Sequence, residues 1–178
     1  MKRGRYWQRS AIAMAVFVLL VVWRPSFDAR VAVEKKVGQA EGFSVVEMIG
    51  EKKVAQNRSL VLYLSEKGEI DCAAVKHTLG IYQAEAVFGY IPARDSGAVE
   101  SGQNRAHLLY CPYGRGDWYL CYGVVADQEV AQVMFGDQRM DEFQYGGVRI
   151  VYCWGAGSPD GKFVLKDVRG RELDMVKQ

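Results

Sequence analysis

Four cysteines and two histidines are the residues of this chain best suited to nucleophilic or metal chemistry, and their spacing points away from both. Cys72 and His77 lie five apart on one expected strand, so their side chains leave opposite faces and form no thiolate–imidazolium pair. His107 and Cys111 share a face but sit roughly 13 Å apart at about 3.3 Å per residue. No two cysteines have the close spacing of structural zinc ligands. If the chain is exported, cross-linking is the remaining use of the thiols, and three connectivities are open. A three-residue hairpin loop, Arg115-Gly116-Asp117, pairs Gly114 with Trp118. It sets Cys111 opposite Cys121, at the roughly 4.5–5.5 Å Cβ separation of cross-strand neighbours. Cys111–Cys121 is therefore the expected disulfide. The alternatives are a Cys72–Cys153 bridge and four small, chemically quiet buried thiols.

The carboxylates Asp127 and Glu129, Asp137, Asp141 and Glu142, and Asp160 occupy turn-like or solvent-facing places, Asp160 within Pro159-Asp160-Gly161. An exported hydrolase needs two such groups in one cleft, one of them with a raised pKa. Gly155-Ala156-Gly157 lacks the following lysine and helix start of a phosphate loop, and Ser158 reads as a turn residue. Arg115-Gly116-Asp117 is the tripeptide that integrins recognise, yet Gly-Arg-Gly-Asp is also what a tight turn requires. No catalytic, cofactor-binding or metal-ligating residue is expected.

The segments that carry these residues begin with an address. Lys2, Arg3, Arg5 and Arg9 precede the apolar run from Ala11 to Trp23, and Arg24-Pro25 ends it. Residues 1–24 therefore read as a basic region followed by a signal-anchor. The run is short for a comfortable span of roughly 20 residues, and a cleaved signal peptide is the alternative. Small residues for cleavage are scarce just beyond it, which favours a retained single-pass helix with the C-terminal part outside. Five of the 23 basic residues precede Pro25 and none of the 21 acidic ones does, leaving 18 basic against 21 acidic residues in the exported part. That balance does not suit a nucleic-acid-binding surface.

Asp28 to Glu41 reads as a helix capped by Asp28 and stopped by Gly42, with Val33, Val37 and Ala40 on one face. Strands are expected over 43–49, 59–65, 69–77 and 79–88, and both faces of Ser59–Ser65 are apolar enough to be covered. The region 28–91 is thus a helix packed on an antiparallel sheet. Residues 92–105 form a linker or long loop. Five further strands over 106–113, 118–126, 129–135, 147–154 and 162–168 make 106–178 a small β-sandwich or partial Greek key. The fold class is mainly β, antiparallel.

Aromatic residues crowd the hairpin in this second region: Tyr110, Tyr113, Trp118, Tyr119 and Tyr122. If exposed they form a binding surface; the alternative is cross-strand packing. The stretch Phe43 to Phe88, the run Trp118-Tyr119-Leu120-Cys121-Tyr122-Gly123-Val124-Val125-Ala126-Asp127 and the tail Lys166-Asp167-Val168-Arg169-Gly170-Arg171-Glu172-Leu173 together resemble uncharacterised small membrane-anchored or secreted proteins of Gram-positive spore-forming bacteria. The resemblance implies an extracytoplasmic location and a β-rich outer domain, and it transfers no functional residue. The expected function is an interaction or sensing module at the cell envelope, with an unknown protein partner and the membrane as its contacts. The alternative is the exported hydrolase.

Overall fold

The computed structural model describes residues 12–14, 17, 25–92, 104–157 and 159–176, without the side chains of 90–92. The expected membrane segment lies almost wholly outside these, and so does most of the 92–105 linker. Among the described residues no helix is long and apolar enough to cross a membrane.

Helix α1 spans Ala29–Ala40. Asp28 starts it by accepting the Arg30 N–H at 2.6 Å, and the left-handed Gly42 (φ 72°) ends it after the Glu41 N–H has bonded to the Val37 carbonyl. Ala29, Val33 and Val37 recur at helical spacing and are buried against Val61, Tyr63, Ala73 and Val75.

Those four residues belong to the first sheet, an antiparallel meander of β1 (Val45–Ala55), β2 (Arg58–Ser65), β3 (Glu69–Thr78) and β4 (Ile81–Pro92) in consecutive order. β1 runs six residues beyond its expected end, and three register shifts let this edge strand bend as it pairs with β2. Period-two alternation assigns β2 and β3 two buried faces: Val61, Tyr63, Ala73 and Val75 meet the helix, while Leu60, Leu62, Ile70, Cys72 and Ala74 face away from it.

The away-facing set packs on a middle sheet, β5 (Ala106–Tyr113), β6 (Trp118–Val125), β10 (Val148–Ala156) and β9 (Asp141–Tyr145), in that order. Leu120, Tyr122, Val124 and Ile150 complete this core. The opposite face, with Tyr119, Cys121, Val125, Val151 and Cys153, packs on a third sheet. That sheet orders β12 (Glu172–Leu173), β11 (Phe163–Lys166), β7 (Gln132–Phe135) and β8 (Gln138–Arg139). The result is four layers, helix on sheet on sheet on sheet, in which regions 28–91 and 106–178 share one core. Among the described residues from 106 onward there are eight strands in two antiparallel sheets, where five strands were expected. Because β10 inserts between β6 and β9, its pairings are not all between chain neighbours. Gly155 permits the tight fit there, since a Cβ would come within 2.4 Å of the Tyr119 ring.

Candidate functional site

The hairpin that was to bridge Cys111 and Cys121 has a different register. Gly114 and Arg115 both take left-handed backbone (φ 61° and 62°), and the Asp117 N–H closes on the Gly114 carbonyl at 3.2 Å. The turn therefore consumes four residues, 114–117, and Tyr113 pairs with Trp118. Cys111 is set opposite Leu120 and Cys121 opposite Tyr110. The one-residue slip sends the two thiols to opposite faces of the middle sheet, Cys111 toward the first sheet and Cys121 toward the third. The expected disulfide is corrected accordingly, and no S–S bond joins any two of the four cysteines in this structure. Cys72 and Cys153 are likewise divided between the two cores.

The same alternation divides the aromatic cluster. Tyr113, Trp118 and Tyr122 face the first sheet, while Tyr110 and Tyr119 face the third. Tyr113, Tyr119 and Tyr122 are buried, and Tyr110 and Trp118 are half-buried. The Tyr122 hydroxyl donates to the Phe88 carbonyl at 3.0 Å and the Trp154 indole N–H donates to the Tyr113 hydroxyl at 2.6 Å, so these polar ends are satisfied inside the protein. Trp118 stacks on Trp154 with centroids 4.8 Å apart and is capped by the Arg58 guanidinium, itself bonded to Glu85 at 3.2 Å. These five residues are packing, not a shared exposed face.

Three of the six singled-out carboxylates, Asp127, Glu129 and Glu142, are paired with arginines. Arg105 bonds Asp127 and, at 2.8 Å, Glu129. Arg149 bonds Glu142 at 2.5 Å and also donates to the Val130 and Ala131 carbonyls. Asp137 and Asp160 differ: with Glu172, Lys162 and Lys166 they line an open groove of about 430 Å³ on the third sheet. His77 lies beside the Tyr82 ring, 5.7 Å between centroids, on the helix side of the first sheet and away from Cys72.

Two features escaped the sequence reading. The first is Asp71 on β3, fully buried on the helix-facing side, where no hydrogen bond of good geometry reaches its carboxylate and the Ser65 hydroxyl lies nearby. Burial first, and the nearby Glu69 second, push its pKa up to about 6, against opposing pulls from Ser65 and Lys67. A lone acid inside the apolar run Ile70–Val75 was the available signal. The second is a pocket of about 590 Å³ at one open end of the sandwich formed by the first and middle sheets. Its walls are two cross-strand pairs at the ends of two hairpins, Leu64 with Ile70 and Tyr145 with Val148. The turns beyond them rely on glycines at positive φ, Gly68 (75°) in one and Gly146 (56°) and Gly147 (83°) in the other, none with a heavy atom within 4 Å of where a Cβ would sit. These turns are narrow and leave the mouth open. Among the described residues of the lining Lys67 is the one cation, but its ammonium lies 4.2 Å from the centroid of the Phe43 ring, in the helix-side core. The Tyr145 hydroxyl donates to Glu47 at 2.7 Å, tying β9 to β1 across the sheets and raising the tyrosine pKa. Apolar walls with a few polar groups at the rim suit a compact, largely apolar molecule, and the volume falls in the usual 300–1,000 Å³ range of ligand pockets.

No protein-family model matches this chain, and no curated protein or solved structure does either.

Proposed function

We propose that this chain is an extracytoplasmic binding module, held at the membrane by its N-terminal segment, that takes a small and largely apolar ligand at the open end between its first and middle sheets. The pocket framed by Leu64, Ile70, Tyr145 and Val148 carries this reading. A core interface normally closes; here the two hairpins diverge around a space of ligand size. Leu64, Ile70, Tyr145 and Val148 make the walls apolar, and the Lys67 ammonium lies over the Phe43 ring in the helix-side core, so the apolar part of the ligand is what the pocket selects. Calorimetric titration of the full chain in lipid nanodiscs with octanoate tests it. Saturable binding that is lost in Val148→Phe, which fills the pocket, supports the reading; no binding, or equal binding by the filled variant, rejects it. The location is tested separately by external protease on whole cells bearing a C-terminal reporter, which digestion must reach.

The groove with Asp137, Asp160 and Glu172 is what favours the second reading, an exported hydrolase. Release of reducing sugar from a cell-wall preparation, abolished by Asp160→Asn, would establish it.

A further inference from the structure

Cys121 and Cys153 are register partners on the adjacent antiparallel strands β6 and β10. Both project into the core between the middle and third sheets, at 0% and 2% exposure. Residues directly opposite one another in such a pair have Cα atoms about 4.5–5.5 Å apart, inside the roughly 4.4–6.8 Å window of a disulfide. The two thiols interact, and that interaction together with burial raises the Cys121 pKa. Cys72 and Cys111 also interact, across the other core. They sit on two different sheets, however, and stacked sheets lie about 10 Å apart, beyond disulfide reach without backbone movement.

We propose that Cys121 and Cys153 are a disulfide-forming pair, and that Cys72 and Cys111 remain thiols. The oxidant is a disulfide-bearing thiol oxidant of the kind found outside the cytoplasm. One cysteine of the pair, as its thiolate, attacks the oxidant disulfide and expels one of its sulfurs as a thiolate. The second cysteine then attacks the mixed disulfide and expels the other. The pair loses two protons and two electrons, an S–S bond forms between β6 and β10, and the oxidant is reduced to two thiols. Because the third sheet covers both sulfurs, the exchange belongs to folding, before that sheet closes. The cross-link ties the two central strands of the middle sheet, the layer packed between two other sheets.

The test needs only the full chain. It is refolded in detergent with a mixture of oxidised and reduced glutathione, unfolded in alkylating reagent without reductant, and analysed by intact mass and peptide mapping. The pairing predicts two alkylated cysteines, Cys72 and Cys111, and a linked peptide joining Cys121 to Cys153 that separates on reduction. Four alkylated thiols, or a link between any other two cysteines, overturns it. The result does not depend on octanoate binding, so this proposal and the proposed function fail separately.

Discussion

The two faces of the first sheet are built from adjacent residues of the same strands and are not equally comfortable. On the side facing the middle sheet, Leu60, Leu62, Ile70 and Cys72 pack with Leu120, Tyr122 and Ile150, and the buried Tyr122 and Tyr113 hydroxyls have the Phe88 carbonyl and the Trp154 indole N–H as their partners. On the helix side, one residue along, the Asp71 carboxyl is buried without a hydrogen bond of good geometry, and the buried Ser65 hydroxyl beside it only partly offsets that burial. A pleated strand cannot relax one face without moving the other. The strain of a buried carboxyl on the helix side is therefore held in place by dense packing on the sheet side.

Truncating the well-packed face should cost most. Leu62→Ala removes a fully buried side chain and is expected to destabilise the protein by about 2–5 kcal/mol, read from denaturant midpoints. A loss under about 1 kcal/mol would mean that the face is looser than its burial implies.

On the helix side the expected sign is opposite. The Asp71 carboxyl holds its proton more tightly folded (about 6) than unfolded (3.8), so the folded state is favoured at low pH. Stability falls as the pH rises from about 4 through about 6 and is flat above that, the whole difference being on the order of 3 kcal/mol. Asp71→Asn keeps the shape and removes the ionisation. It should flatten that slope, and it should stabilise the protein at pH 8 relative to the parent while doing little at pH 4. Parallel pH profiles for the two proteins would show that Asp71 titrates alike in the folded and unfolded chain, with Lys67 and Ser65 offsetting the burial and the repulsion from Glu69 and Glu41.

The smallest effect is that of Tyr122→Phe, which deletes one satisfied buried hydrogen bond and leaves the Phe88 carbonyl short of its donor. A cost of about 1 kcal/mol is expected. A gain would move the polar strain to both faces and erase the contrast.

Local signals in the sequence carried well where the structure is local. Asp28 and Gly42 bound the helix, the alternation of Leu60 and Leu62 with Val61 and Tyr63 marks a strand covered on both faces, and the break at 66–68 is a turn. What was not legible depends on pairing between distant segments. Nothing in Val148–Ala156 says that it inserts between β6 and β9, and a hairpin tip of Gly-Arg-Gly-Asp fits a three- or a four-residue turn equally well. That single residue decided which faces Cys111, Cys121 and the five aromatics occupy. The pocket was hidden for the same reason: Leu64 with Ile70 and Tyr145 with Val148 are unremarkable hairpin ends until the two sheets oppose them.

The most direct test of the ligand-binding account is methyl NMR of the full chain in nanodiscs during an octanoate titration. The account predicts saturable shifts at Leu64, Ile70 and Val148, with Val133 and Leu165, in the core between the middle and third sheets, unmoved. Unchanged spectra, or shifts centred on that second core instead, would contradict it.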